Sequence, residues 1–170
     1  MKPPIPLNER ARLELLRQYN ILDTAAEPAY DEITARAAEI CKMPISLLTF
    51  IDRDRAWFKS ATGLPLRELP RDVFFCAHAI CQDNLYVSSD LLADDRFSLN
   101  PLVTQKPHLR FYAGMPLLSP EGLALGTLCV IDRKPRTLTP EQIESLKELA
   151  KGVVLLLEIR RAANHPPERA

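Results

Sequence analysis

Charge of one sign is the first thing missing from this sequence. Lys plus Arg and Asp plus Glu each number 22, for a formal net charge of zero. Affinity for a phosphate backbone comes from a basic excess, so nucleic acid is not expected as a partner. No apolar run approaches the ~20 residues of a membrane-spanning helix, and the opening MKPPIPLNER lacks the apolar core of a secretion signal. A cytoplasmic chain without membrane association is expected. Also missing are a P-loop, a Ser/His/Asp pattern and carboxylates paired at a recognisable spacing. Cysteine occurs four times, at Cys41, Cys76, Cys81 and Cys129, each inside an apolar helical or strand pattern. These read as reduced, buried, small hydrophobes. In a helix Cys76 and His78 stand about 200° apart and Cys76 and Cys81 about 140° apart, so the Cys76–Cys81 cluster fails as a metal site and no metal is expected.

What is present suits one domain with a substantial core: 170 residues, 46% apolar and 26% charged. The chain is organised around Phe111 to Asp132. Two apolar runs, Phe111–Leu118 and Leu123–Ile131, flank Ser119-Pro120-Glu121-Gly122, a β-hairpin signature. The second run is apolar on both faces, which predicts a central strand covered on both sides. Gly126 within it predicts close backbone approach by a helix or a ligand.

Ahead of the hairpin, Asn8 is positioned to cap a helix reaching Tyr19, and a second helix is predicted from Pro28 to Cys41, ended by Lys42-Met43-Pro44. Ile45–Asp52 and Ala56–Thr62 form a strand pair, with Trp57, the one tryptophan, anchoring the core. Gly63–Pro70 reads as a loop. Asp72 caps a predicted short helix, Val73–Cys81, and Leu85–Ser88 is a further strand before the polar loop LLADDRFSLNPLV. The last helix opens on Thr139-Pro140-Glu141, with Gln142 completing a capping box, and runs to Arg161. Val154, Leu155, Leu156 and Ile159 widen its apolar stripe nearly all round, which predicts a second copy packed against it as a two-fold dimer.

Three stretches carry a family resemblance: Phe111–Leu117 with Leu125–Asp132; FIDRDRAWFKSATGL; and RDVFFCAHAI with VSSDLLADDRFSLNPLV. Through them the chain resembles the GAF domain, the sensory module of signalling proteins such as sensor histidine kinases and diguanylate cyclases. The resemblance implies an α/β (α+β) fold. A central antiparallel sheet of about five or six strands would carry the N- and C-terminal helices on one face, and a short helix with loops over a pocket on the other. It divides the chain into an N-terminal helical arm (1–26), the domain proper (27–161) and a polar tail (162–170).

The function implied is a noncatalytic sensory domain in signal transduction. It would bind an unknown small molecule or a partner and pass its state through the helix around Thr139–Arg161 and the N-terminal helix of a homodimer to a kinase or cyclase output. The implied pocket lies among Arg71, Phe75, Cys76 and His78 near the short helix, Asp90 and Asn100 of the polar loop, and Arg110 and Tyr112 at the entrance to the hairpin. Arg110, beside Phe111-Tyr112, is suited to hold an anion or to stack. Two alternatives accompany this expectation. One is a redox enzyme of the free methionine sulfoxide reductase type using Cys76 or Cys81. The other is a purely dimerising module whose pocket is filled by Phe75, Phe97 and Tyr112. The cofactor is unknown. Bilin-binding relatives attach the chromophore through a cysteine followed directly by histidine, whereas Ala77 intervenes here, so covalent bilin is not expected. The residue set of the cyclic-nucleotide-binding members is not matched.

Overall fold

The structure, a computed structural model, describes residues 1–165. Helices α1 (Glu9–Gln18) and α2 (Pro28–Cys41) precede strands β1 (Ile45–Ile51), β2 (Arg55–Thr62) and β3 (Glu68–Pro70). Helix α3 (Cys76–Ala79), strand β4 (Tyr86–Ser88) and helix α4 (Pro101–Thr104) lead to the hairpin β5 (Phe111–Leu118) and β6 (Ala124–Asp132), and α5 (Pro140–Asn164) ends the described chain. The strands form one six-stranded sheet in the order β3-β2-β1-β6-β5-β4, with every pairing antiparallel. The expected α+β architecture is therefore present.

Every residue of β1 and β6 is buried, as expected for a pair apolar on both faces. Alternation along the strands divides the interior into two cores. Leu48, Phe50, Leu128 and Val130 pack with Trp57 under α1, α2 and α5. Ile45, Leu47, Cys129 and Ile131 point the other way, toward Phe58, Phe74, Phe75, Phe97 and Tyr112. The hairpin closes as its residues require: Gly122, at φ +81°, donates its N–H to Ser119 O at 2.8 Å, and Ser119 N–H bonds Leu123 O at 2.9 Å. α5 begins with the full capping box, Thr139 and Gln142 exchanging side-chain and backbone bonds.

Several expectations are corrected. The Gly63–Pro70 loop contains the edge strand β3, paired with Arg55–Trp57. The helix expected over Val73–Cys81 shrinks to Cys76–Ala79, because Phe74 and Phe75 are drawn into the aromatic core and the chain turns there; Asp72 caps nothing and reaches Lys2 at 3.8 Å. Asn8 stands at the N-cap of α1 without a side-chain cap bond. The short helix α4 inside the polar loop was not foreseen, although Asn100-Pro101 is a cap followed by proline at the first turn. α5 continues to Asn164, past the expected end at Arg161, and the rest of the expected tail, residues 166–170, lies outside the described residues. The close backbone approach expected at Gly126 is made by the neighbouring strand β1 and not by a helix. A Cβ there would meet Thr49 O of β1 at 1.8 Å and Phe50 Cα at 2.8 Å.

The Gly126→Ala variant should therefore lose at least about 2 kcal/mol by overpacking backbone that cannot retreat. Equilibrium urea unfolding checks this; a loss below about 0.5 kcal/mol would mean that β1 and β6 can separate without cost.

Candidate functional site

Two clusters lie between the sheet and the α3–α4 segment. In the first, α3 presents Cys76 to the centre of the sheet, where no solvent reaches it. Tyr112 Oη of β5 donates to Cys76 Sγ at 3.0 Å and Thr127 Oγ1 of β6 donates at 2.9 Å. Burial alone would push this thiol up, but the bonds it receives from Cys129, Thr127 and Tyr112 outweigh it and hold Cys76 below its ordinary value. Burial pushes Cys129 and Tyr112 well above theirs. Thr49, opposite Thr127 in the ladder, is buried with its hydroxyl unpartnered. Aromatic rings seal this nest. Phe75 packs on Phe97 at 5.1 Å and on Tyr112 at 5.4 Å between centroids, with Phe74 5.6 Å away.

The second cluster sits outward of the first. Arg96 forks onto Asp94, reaching Oδ1 at 2.9 Å and Oδ2 at 2.5 Å, while Ser88 Oγ donates to the same carboxylate at 2.8 Å. The guanidinium lies 4.8 Å from the Tyr86 ring centre and 5.2 Å from that of Phe97. The Arg96 bonds come first in holding Asp94 low, at about 2, against burial. His78 stacks edge-on to Phe97 at 4.8 Å, and burial, with nearby Arg96, keeps its pKa low, favouring the neutral ring. The amino-terminal segment crosses this edge: the Met1 ammonium bonds Arg96 O at 3.1 Å, and Cys81 Sγ bonds Pro4 O at 3.4 Å.

Of the residues named from sequence, Phe75, Cys76, His78 and Tyr112 are brought to this face together. The other four hold the scaffold. Arg71 is buried and forks onto Glu9 at 2.5 and 3.1 Å, with a further bond to Asp52 O. Asp90 closes a turn by accepting from Leu92 N–H, and Asn100 caps α4 while donating to Val73 O at 2.7 Å. Arg110 bonds the carbonyls of Val103 and Leu109, so its guanidinium ties down the α4 loop. On this face the guanidinium that stacks on aromatics is Arg96. Asp94-x-Arg96-Phe97 was visible in the sequence, but Tyr86 and Ser88 reach it only through β4. Cys81 is also corrected: it is exposed, unlike the three buried cysteines, because α3 ends before it. All four thiols are free.

A six-stranded antiparallel sheet with helices on one face, and a short helix with a loop layer on the other, defines a single-sheet α+β module. The chain belongs to the GAF domain family, whose model matches residues 25–155. It is 38% identical over 167 residues to a cyclic di-GMP phosphodiesterase of Pseudomonas aeruginosa. The match takes in 98% of this chain and 28% of that protein, so the chain spans under a third of the relative's length. In fold it is similar to the GAF domain of a phosphoenolpyruvate-protein phosphotransferase from Coxiella burnetii (TM-score 0.67, 16% identity, 89% of this chain and 95% of that one). It is also similar to the free methionine-R-sulfoxide reductase of Neisseria meningitidis, solved with its substrate (TM-score 0.65, 19% identity, 91% and 90%).

Two outcomes follow from this geometry. In the native protein a thiol reagent should titrate one cysteine quickly, Cys81, and all four only after denaturation; fast reaction persisting in Cys81→Ser would contradict the sealed nest. The Glu9 carboxylate is raised by burial but lowered further by Arg71 and Arg12, from 4.5 to about 2. A folded-state pKa below the unfolded one gives stability that is complete above about 4.5 and lost as pH falls toward 2. Glu9→Gln should flatten the thermal midpoint across that window, with the part due to Asp94 remaining; an unchanged acid slope would show that Glu9 carries none of it.

Proposed function

We propose that this chain is a noncatalytic sensory domain that governs a cyclic di-GMP-hydrolysing output, working as a dimer through α5. The observation that carries the reading is the outward face of α5. On this 25-residue helix Leu146, Ala150, Val153 and Leu157 enter the core, while Leu155 and Ile159 remain 63% and 60% exposed on the opposite side. Two large aliphatic side chains one turn apart on a long terminal helix form the seam of a two-helix contact. The same helix is locked to the N-terminal arm. Arg160 donates to Tyr19 O and Asn20 O at 2.7 Å each, Tyr19 Oη donates to Glu158, and Arg161 lies over the Tyr19 ring. A shift of either terminal helix is thus passed to the other, which is what a relay between sheet and output requires. The relative's name supplies the class of output.

The enzymatic alternative finds little support in the cysteines. Cys76 is sealed under Phe75 and Tyr112, and burial raises the thiol of Cys81, the exposed one. Turnover of free methionine sulfoxide coupled to NADPH would overturn the noncatalytic reading.

Sedimentation velocity tests the seam. The chain should run as a dimer at micromolar concentration, and the double variant Leu155→Glu, Ile159→Glu as a folded monomer. A wild-type monomer would sink the relay through α5.

A further inference from the structure

On the helical side of the sheet, the end of β5 and the flank of α5 do not close on one another. β4 stops at Tyr86 opposite Gly114, so β5 continues from Met115 with no strand on its outer side. The space left is an open groove of about 560 Å³, floored by Met115, Pro116 and Leu118 and walled by Ile143, Ala150 and Val154 of α5. That volume lies within the ~300–1,000 Å³ usual for small-molecule sites. It is separate from the Cys76 nest, which is on the opposite face of the sheet.

The polar groups of the groove indicate what it takes. Lys147 and Lys151, one helical turn apart, stand on the α5 wall, and Asp83 and Asn84 of the chain before β4 also line the groove. Lys151 is held by Glu148 at 3.3 Å, whereas Lys147 has no carboxylate within ion-pair distance among the described residues. An apolar floor with an unpaired ammonium at its rim complements an amphiphile with an anionic head. A peptide strand is a poorer fit. Pro116 and the break in register between Pro116 and Leu118 spoil β5 as a template for an added strand.

We propose that this groove binds an acyl carboxylate, its chain along Met115, Leu118, Ile143 and Val154 and its head group at Lys147. The thioether of Met115 suits a floor that must adapt to a flexible chain. Such a ligand wedges between the sheet and the helix that carries Leu155 and Ile159. Its regulatory consequence rests on the dimer reading above, while the binding does not.

Calorimetric titration of the full chain with decanoate, kept below its micelle concentration, tests the site. One equivalent should bind, and Lys147→Glu and the groove-filling Val154→Trp should each weaken it by about tenfold or more, with circular dichroism and the thermal midpoint retained. Decyltrimethylammonium should not compete. Absence of saturable decanoate binding, equal binding of the cationic amphiphile, or wild-type affinity in both folded variants would overturn the proposal. Failure here with an intact dimer leaves the relay reading standing. Binding to a wild-type chain that sediments as a monomer supports the site and sinks the relay.

Discussion

Everything in this molecule is hung on the contact between β1 and β6, two strands buried along their whole length. Their backbones come so close at Gly126 that no side chain fits against Thr49 O and Phe50 Cα. Because both faces of the pair are covered, alternate residues feed alternate cores: Leu48 and Phe50 one, Leu47 and Ile51 the other. Neither core can be lost without exposing the strands that support the other. The polar residues within this pair are costly unless bonded. Thr127 is satisfied by Cys76, while the hydroxyls of Ser46 and Thr49 are left without partners.

The two faces have then been closed by different means. Over the helical face three helices supply a continuous apolar layer, joined at its margins by charge. Arg12, wholly buried, forks onto Glu9 and donates to Ile51 O at 2.7 Å, while Arg71 holds the same carboxylate from the other side. One carboxylate between two guanidiniums ties α1 to the end of β1 and to the turn after β3. The N-terminal segment is therefore part of the fold's closure. Over the other face a four-residue helix and long loops cannot provide a layer, so packed rings do: Phe58, Phe74, Phe75, Phe97 and Tyr112 cluster there with Leu91 and Val103.

α5 stands in different surroundings. The face under α3 and α4 is packed with aromatic rings and its thiol enclosed, whereas α5 has one flank over an open groove and an outward row of aliphatic side chains. A long helix with one face in the core, one at a cavity and one at the surface is mechanically placed to connect all three. The polar joint of Tyr19, Glu158, Arg160 and Arg161 ties the end of α1 to it.

Periodicity and turn chemistry by themselves determined the elements with strong local signals. The 111–132 hairpin, its 119–122 turn, the helix at Pro28–Cys41 and the Thr139 capping box are all legible because each depends on residues close to one another in the chain, whereas the six-stranded sheet that gathers them was implied by the resemblance. Motif resemblance determined the family. Side-chain partnership was different, since it depends on which strands become neighbours. Arg71 and, above all, Arg110 read as candidates for a ligand, yet one meets Glu9 across 62 residues and the other the carbonyl of Val103. Arg96 acquired its aromatic platform only when β4 brought Tyr86 beside it. The packing of the rings over one face and the opening of the groove on the other were likewise decided by tertiary structure, because a cavity is a volume left between distant segments and no local pattern encodes it.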